Sequence, residues 1–148
     1  MIALAQRVRE ARVEVEGCCV GAVGVGLMVL VCAEAGDTEA QADRLVDKLL
    51  KLRVFADTAG RMNLSLPQVG GGLLLVPQFT LAADTGGGNR PSFARAAPPE
   101  RGRALYERVL AGARAAHPVV ASGIFGADMQ VHLVNDGPVT IPLAIAPP

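Results

Sequence analysis

The chain has 148 residues with 14 basic and 14 acidic side chains, so its formal net charge at pH 7 is zero. This balance excludes the broad positive surface that holds long stretches of nucleic acid, and any RNA partner must be bound through a small footprint. The sequence has no tryptophan, one tyrosine and four phenylalanines, which rules out an extensive platform for stacking bases. The length fits one domain, covering residues 1–148.

The cysteines and the longest apolar run indicate the cellular compartment. The three cysteines, at positions 18, 19 and 32, are odd in number and have no metal-ligand spacing, so we interpret them as reduced thiols. The N-terminus lacks the pattern of a signal peptide, and the run at residues 23–33 is too short to cross a bilayer. We therefore expect a cytoplasmic protein without a metal, another cofactor, DNA or a membrane as partner.

The first half of the chain predicts short strands and one helix. Thr38 and Gln41 have the spacing of a capping box, and residues 42–50 place apolar side chains at helical intervals, so a helix begins there. Five stretches predict strands: residues 2–8, 13–15, 27–31, 54–55 and 62–64.

Residues 73–76 have no polar side chain and predict a central strand that is buried on both faces. If the strand continues, alternation sends Gln78 and Thr80 to one face and Phe79 and Leu81 to the other. Two polar side chains then emerge together at the end of a buried strand. This arrangement indicates either a functional site or simply a strand end that reaches water.

The second half of the chain offers little catalytic machinery. A helix begins near Pro98 and ends before His117, which we interpret as a surface residue, and His132 lies on the polar face of a predicted strand. Neither histidine is placed as a general base, and Thr80 has no visible base beside it. What remains is a site built from backbone groups, in which one oxyanion-hole donor can contribute about 10²–10³ in rate.

Residues 135–140, Asn-Asp-Gly-Pro-Val-Thr, contain more turn-forming residues than a connection needs. They lie between two runs with strand patterns, which predicts a hairpin-like element with a rigid tip. Gly137 leaves the backbone free, whereas Pro138 fixes φ and has no N–H, so the pair can expose its carbonyl groups. The alternative is an ordinary tight turn.

Several short motifs follow one another along the chain. They are Gln6-Arg7-Val8, Val15-Glu16-Gly17, Met62-Asn63-Leu64, residues 78–84, Arg90-Pro91-Ser92-Phe93, residues 125–129 and residues 135–140. In this order they resemble the D-aminoacyl-tRNA deacylases, also called D-Tyr-tRNA deacylases. The similarity runs from Met1 to about Ile145 without large gaps.

The resemblance implies a fold and an activity. The fold is α/β of the α+β type, a β-rich barrel-like sheet with two main helices in a single domain, and two copies form a homodimer with active sites at the interface. The activity is hydrolysis of the ester between a D-amino acid and the 3′-terminal adenosine of tRNA, which is chiral proofreading in translation. The partner is then the acceptor end of aminoacyl-tRNA, and glycyl-tRNA is a further expected substrate.

The resemblance also implies which residues form the active site. Gln78, Phe79 and Thr80 would line the ester site, with the amides of Phe79 and Thr80 as oxyanion-hole donors. Gly137 and Pro138, joined by a cis bond, would enter the partner's pocket and accept hydrogen bonds from the substrate α-ammonium.

Four residues would support this site. Arg7 and Asn135 belong with the Gly-Pro segment, and Phe125 and Met129 would lie near the terminal adenine. The resemblance also implies that the ribose 2′-OH replaces a side-chain base, which agrees with the lack of a well-placed histidine.

One position departs from the family pattern. The family usually has Ser before the Gln, whereas this chain has Pro77. A related subfamily that tolerates L-alanine carries Pro-Gln there with a trans Gly-Pro bond, although residues 135–140 look D-specific here. We hypothesise that Pro77 removes one hydroxyl contact and leaves D-selectivity in place. The alternatives are a relaxed deacylase that removes L-alanine from mischarged tRNA, a non-catalytic β-rich dimer that binds a ligand, and an esterase with a threonine nucleophile.

Overall fold

The computed structural model describes residues 1–147. The strands are β1 (Ile2–Val15), β2 (Cys18–Val23), β3 (Gly26–Cys32), β4 (Arg53–Ala56), β5 (Met62–Ser65), β6 (Gly72–Pro77), β7 (Val120–Ser122) and β8 (Gln130–Ala144). The helices are α1 (Glu39–Lys51), α2 (Leu66–Val69) and α3 (Pro99–Ala116), and a 3₁₀ turn spans Phe79–Ala82. No helix within residues 1–147 combines the length and apolar character that crossing a membrane requires.

The main sheet is organised around β1, which pairs antiparallel with β2, β3 and β8. On the far side of β3, β6 and then β7 pair in parallel. The strands β2 and β7 also approach each other closely. The measure of this approach is that a Cβ added to Gly21 would lie only 2.6 Å from the carbonyl oxygen of Ser122. This approach gives a nearly closed, barrel-like sheet, so the expected α+β class is confirmed.

The central strand β6 is buried on both faces, as the sequence predicts. Leu73 and Leu75 belong to the core cluster that the helices cover, whereas Leu74 and Val76 belong to the cluster on the opposite face. All four side chains are at most 1% exposed. The strand therefore fixes the position of whatever follows Pro77.

The two main helices form as predicted. The capping box of α1 is present, and the Thr38 N–H donates to Gln41 Oε1 at 2.9 Å. The helix α3 begins at Pro99 and ends before His117 as predicted, and it buries Leu105, Val109 and Ala113, whereas Ala116 in the last turn is exposed.

Several local predictions were wrong. Residues 2–15 form one long strand instead of two, and β2 and α2 have no counterpart in the sequence prediction. His117 is not a surface residue. It is 5% exposed, and its Nε2 lies 2.7 Å from the carbonyl oxygen of Gly71, which gives a buried polar side chain the partner it requires.

The strand β8 also replaces the predicted hairpin. Both of its halves pair antiparallel with β1, so they do not pair with each other. Asn135 lies opposite Val8 and Thr140 lies opposite Gln6, which leaves four residues of β8 facing a single residue of β1. The Gly-Pro segment is therefore a wide bulge in a continuous strand, because both flanking runs find the same distant neighbour.

Candidate functional site

A pocket of about 700 Å³ opens beside the end of β6. Its walls come from β3, β6, α3 and the loops between them, and they include Val31, Cys32, Val76, Pro77 and Tyr106. Among the described residues, none that lines the pocket carries a charged side chain. Such a pocket suits an uncharged group far better than an ion, because an isolated charge loses its hydration there.

The chain leaves β6 at Gln78 and turns at once into the 3₁₀ turn, so the predicted continuation of the strand to Leu81 was wrong. The Gln78 N–H still donates to the carbonyl oxygen of Val31 at 2.8 Å, which ties the turn to β3. The side chains of Gln78 and Thr80 meet through a hydrogen bond of 2.5 Å from Nε2 to Oγ1. They come together as expected, but through a tight turn instead of strand alternation.

The start of this turn leaves backbone donors available. The first N–H groups of a helical turn lack intrahelical partners, and neither Phe79 nor Thr80 donates its N–H to another group within residues 1–147. The Phe79 ring is 57% exposed and packs edge-on against Phe93, with centroids 5.0 Å apart. Two free amides and an aromatic ring thus lie together at the mouth of the pocket.

Phe125 and Met129 lie on the other wall of the same pocket. The Phe125 ring centroid lies 6.2 Å from that of Tyr106, and the Met129 sulfur accepts a hydrogen bond of 3.4 Å from the Ile124 N–H. An aromatic ring and a thioether form an apolar wall on which a flat base can pack.

The Gly137–Pro138 bond is cis, and both residues are exposed. Arg7, whose side chain is 15% exposed, lies beneath them. Its Nη1 donates to the carbonyl oxygen of Val54 at 2.6 Å and its Nε donates to the carbonyl oxygen of Asp136 at 3.2 Å. Arg7 therefore links the bulge of β8 to β4.

Asn135 holds the other side of the bulge. In the orientation that gives both amide atoms partners, its nitrogen donates to the carbonyl oxygens of Arg7 at 3.0 Å and Val139 at 3.1 Å. Its oxygen accepts from Gln6 Nε2 at 3.0 Å and Thr140 Oγ1 at 2.8 Å. The bulge is thus enclosed by side-chain hydrogen bonds at both ends.

The structure gathers the predicted site residues into two groups. We call the first group the pocket residues: Gln78, Phe79, Phe125 and Met129, which line the pocket, and Thr80, which follows Phe79 in the 3₁₀ turn and is not itself part of the lining. We call the second group the tip residues: Arg7, Asn135, Gly137 and Pro138. None of the tip residues lines the pocket of the same chain, so one chain does not bring the two groups together.

The histidines are positioned away from this pocket. His117 is buried against Gly71, and His132 lies on the polar face of β8 as predicted, with Nε2 3.3 Å from Glu14 Oε2. Neither lines the pocket. Residues 1–147 also contain no group of three or more His, Cys, Asp or Glu side chains arranged to hold a metal ion. That the reaction needs no metal stays a prediction.

Sequence reasoning missed two pocket groups, Tyr106 and Cys32. Burial raises the pKa of Tyr106 to about 12, and its hydroxyl donates to the carbonyl oxygen of Leu75 at 2.9 Å. Burial also raises the pKa of Cys32, whose thiol donates to the carbonyl oxygen of Phe79 at 3.5 Å. Both groups stay protonated at neutral pH. The spacing of Tyr106 with Val109 and Ala113 carried a signal for burial of Tyr106 on the inner face of α3.

Solved structures define the class first: small α+β proteins with a nearly closed sheet. The chain superimposes on a c-Myc DNA Unwinding Element Binding Protein with a TM-score of 0.94 and 39% identity, and each chain is covered completely. It also superimposes on a probable eukaryotic D-amino acid tRNA deacylase with a TM-score of 0.85, covering 96% of this chain and 97% of the other. At 20% identity, that second likeness shows the fold alone.

Sequence comparisons then give the family. The model of the D-Tyr-tRNA(Tyr) deacylase family matches residues 4–144. The chain is 70% identical over 148 residues to the D-aminoacyl-tRNA deacylase of Paracidovorax citrulli (strain AAC00-1), covering 100% of this chain and 96% of that protein. It is also 70% identical to the D-aminoacyl-tRNA deacylase of Azoarcus sp. (strain BH72), covering 99% and 97% of the two chains. The chain belongs to the D-Tyr-tRNA(Tyr) deacylase family, and the resemblance found in the motifs is confirmed.

Proposed function

We propose that this protein hydrolyses the ester between a D-amino acid and the 3′-terminal adenosine of tRNA, which releases the free D-amino acid and tRNA. Relatives that are 70% identical over nearly their whole length are D-aminoacyl-tRNA deacylases. The observation that carries the proposal is the uncharged pocket with two free backbone amides at its mouth. Glycyl-tRNA is a further proposed substrate, and the cytoplasm, where tRNA is charged and used, is the proposed location.

In the proposed reaction, water attacks the ester carbonyl carbon and the carbonyl oxygen becomes negatively charged. The N–H groups of Phe79 and Thr80 donate hydrogen bonds to that oxygen, which lowers the barrier because the charge develops where donors already stand. The bond to the ribose 3′-oxygen then breaks, and this oxygen takes the proton that the attacking water gives up, which leaves the free amino acid and tRNA. Gln78 fixes the Thr80 side chain by their hydrogen bond of 2.5 Å.

The proposed reaction uses no side chain as a general base. No histidine lines the pocket, and its two titratable groups, Tyr106 and Cys32, are held protonated by burial. The 2′-OH of the terminal ribose is the group that we propose orients the water. Phe125 and Met129 supply an apolar wall for the adenine, which fits the small footprint expected from the balanced charge.

The tip residues are proposed to act in the pocket of a second copy of the chain. Gly137 and Pro138 are exposed and are not part of the pocket of their own chain, so a homodimer would bring the two groups together. The carbonyl groups of Gly137 and Pro138 then accept hydrogen bonds from the substrate α-ammonium, and bonds to a charged donor are strong. With the ammonium fixed in this way, an L side chain would collide with the tip, so selectivity comes from rejection.

Single-turnover deacylation tests the activity. Purified protein is mixed with D-Tyr-tRNA, L-Tyr-tRNA or L-Ala-tRNA without added metal, and release of the amino acid is followed. We expect fast release from the D substrate alone. Comparable release from L-Ala-tRNA would favour the relaxed deacylase, and an absence of release from all three would favour a binding protein without catalysis.

Pro77 lines the pocket beside Gln78, which makes its effect on chirality testable. We expect Pro77→Ser to change the ratio of D to L rates by less than about tenfold, which corresponds to about 1.4 kcal/mol of transition-state binding. The measurement is the same single-turnover assay on both tyrosyl-tRNAs. A larger change would mean that Pro77 itself sets the selectivity.

A mixing experiment tests the homodimer. One variant carries a change in the tip, Gly137→Ala, and the other removes a pocket amide, Phe79→Pro. A hybrid of the two inactive chains contains one intact pocket facing one intact tip, so activity should return when the variants are unfolded together and refolded. Sedimentation of the wild type gives the mass independently. A monomer, or a hybrid without activity, contradicts the shared site.

A further inference from the structure

The rim of the pocket carries an arginine that the proposed reaction does not use. Arg103 is exposed on α3, and its guanidinium carbon lies 4.8 Å from the centroid of the Phe125 ring. Its Nη2 also lies 3.5 Å from the carbonyl oxygen of Phe125. These two contacts place a positive charge directly beside an aromatic wall of the pocket.

The charge of Arg103 has no carboxylate partner in the part of the chain that the structure describes. Within residues 1–147, no carboxylate oxygen lies within 4.0 Å of its guanidinium nitrogens, although Glu100 and Glu107 are close along the same helix. The arginines nearest to it in the sequence are engaged elsewhere. Arg101 donates to the carbonyl oxygen of Asp37 at 3.2 Å, and Arg108 pairs with Asp43 at 2.8 Å.

The chemistry of the pocket explains what such a group would bind. The lining is uncharged, so it takes the amino acid side chain and the base but offers nothing to a phosphate. In a polynucleotide, the phosphate next to the terminal nucleoside lies one sugar away from the base. A base against Phe125 therefore brings that phosphate to the rim where Arg103 stands.

Arginine is suited to this contact because its planar guanidinium presents paired N–H donors that match two phosphate oxygens. The Phe125 ring and carbonyl group already restrict the guanidinium, so less side-chain freedom is lost when an anion binds.

We propose that Arg103 binds the phosphodiester that joins the terminal adenosine of tRNA to the preceding nucleotide. The inference rests on the proposed function and adds a phosphate contact at the rim of the same pocket. Arg103 is thus a positioning residue: it fixes the acceptor strand and does not touch the ester.

Steady-state kinetics on D-Tyr-tRNA between about 50 and 200 mM salt test this contact, because each lost phosphate contact to a single strand lowers the salt slope by about 0.7. For Arg103→Gln we expect KM to rise about fivefold at low salt, and the slope of log KM against log salt to fall by about 0.7, with kcat nearly unchanged. Arg114→Gln is the matched control, since Arg114 is an exposed arginine of the same helix, about three turns further along, and only Arg103 of the two contacts Phe125. Arg103→Lys should keep the salt slope and raise KM less than Arg103→Gln does.

A substrate without phosphate completes the test. Adenosine esterified at its 3′-oxygen with D-tyrosine should be hydrolysed equally by the wild type and by Arg103→Gln. If the variant is equally impaired on this ester, Arg103 acts through Phe125 and the proposal is overturned. If Arg103→Gln left KM for D-Tyr-tRNA unchanged at every salt concentration, the phosphate contact would be overturned as well. Deacylation by the wild type would still support the proposed function. If the wild type hydrolysed neither substrate, both the proposed function and the phosphate contact would be overturned.

Discussion

The pocket and the tip of β8 are built in opposite ways. The pocket has mostly apolar walls, and beside it lie the N–H groups of Phe79 and Thr80, which donate to no other group within residues 1–147. The tip is enclosed by polar contacts: Arg7 donates to the carbonyl oxygen of Asp136 and Asn135 donates to that of Val139, the residues on either side of the Gly-Pro pair. A saturated network holds one conformation, whereas free donors await a ligand. The difference agrees with the proposed roles, in which the tip is a rigid element that fixes the α-ammonium and excludes an L side chain, and the pocket is an open element that binds the ester.

We expect the largest loss of activity when one backbone N–H donor is removed beside the pocket. Phe79→Pro deletes an N–H donor at a position where the preceding residue, Gln78, has φ −148° and ψ 80° and so already lies outside the α region that a following proline disfavours. We expect single-turnover deacylation of D-Tyr-tRNA to fall about 10²–10³-fold, the cost of one oxyanion-hole donor. The measurement is the rate at saturating enzyme.

The control for this change is Phe79→Ala, which keeps the N–H and removes only the exposed ring. We expect its rate to fall by no more than about tenfold, since the donor remains in place. Equal losses in both variants would assign the effect to the ring and contradict the proposed oxyanion hole.

We expect a single added methyl group to displace the tip. A Cβ on Gly137 would lie 2.9 Å from Arg7 Nη2 and 3.0 Å from Val139 Cγ2, and the residue has φ +122°. Gly137→Ala should therefore shift the segment and reduce deacylation about 10²-fold, as small misplacements do. Gly87→Ala serves as the control, because its added methyl group meets nothing within 4 Å. Full activity of Gly137→Ala would rule out a direct role for the tip.

Arg7 and Arg9 allow the rigidity of the tip to be measured, because both contact Asp136. The Arg7 side chain is 15% exposed and also bonds to Val54, whereas Arg9 is 73% exposed. Arg7→Ala should lower the free energy of unfolding in urea by about 2 kcal/mol, the cost of lost charge-assisted bonds to buried carbonyl groups. Arg9→Ala should change it by at most about 0.5 kcal/mol. Similar values would show that the backbone alone holds the bulge.

The sequence predicted the pocket side of the molecule better than the tip side. The run at residues 73–76 is apolar throughout, so its burial followed directly, and the capping box at Thr38 marked the start of α1. The turn after Pro77 was not predicted, because a polar-apolar alternation of four residues fits a strand as well as a 3₁₀ turn. The composition of the Gly-Pro segment indicated a special backbone but not its neighbours.

What the sequence could not supply was the set of distant partners. The two halves of β8 pair with β1, more than a hundred residues away in the chain, and Arg7 reaches the carbonyl oxygen of Val54. The burial of His117 could not be predicted, because its hydrogen-bond acceptor, the carbonyl group of Gly71, is 46 residues away in the chain. The family motifs supplied the identity of these residues, whereas the structure supplied their contacts.

The wall of the pocket also offers the smallest and cleanest test, through Tyr106, the one tyrosine of the chain. Burial raises its pKa to about 12 in the folded protein, whereas the phenol of the unfolded chain ionises at about pH 10. Between these two values the phenol is protonated only in the folded protein. Its contribution to stability is therefore complete below about pH 10 and is lost as the pH rises towards 12.

Tyr106→Phe should lower the free energy of unfolding by only about 1 kcal/mol at pH 8, because the carbonyl oxygen of Leu75 keeps its hydrogen bond from the Gly123 N–H at 2.9 Å. The variant should also lose less stability between about pH 10 and 12 than the wild type does. Absorbance at the phenolate band reports this residue alone, and a midpoint near about 10 in the folded protein would show that water reaches this wall of the pocket.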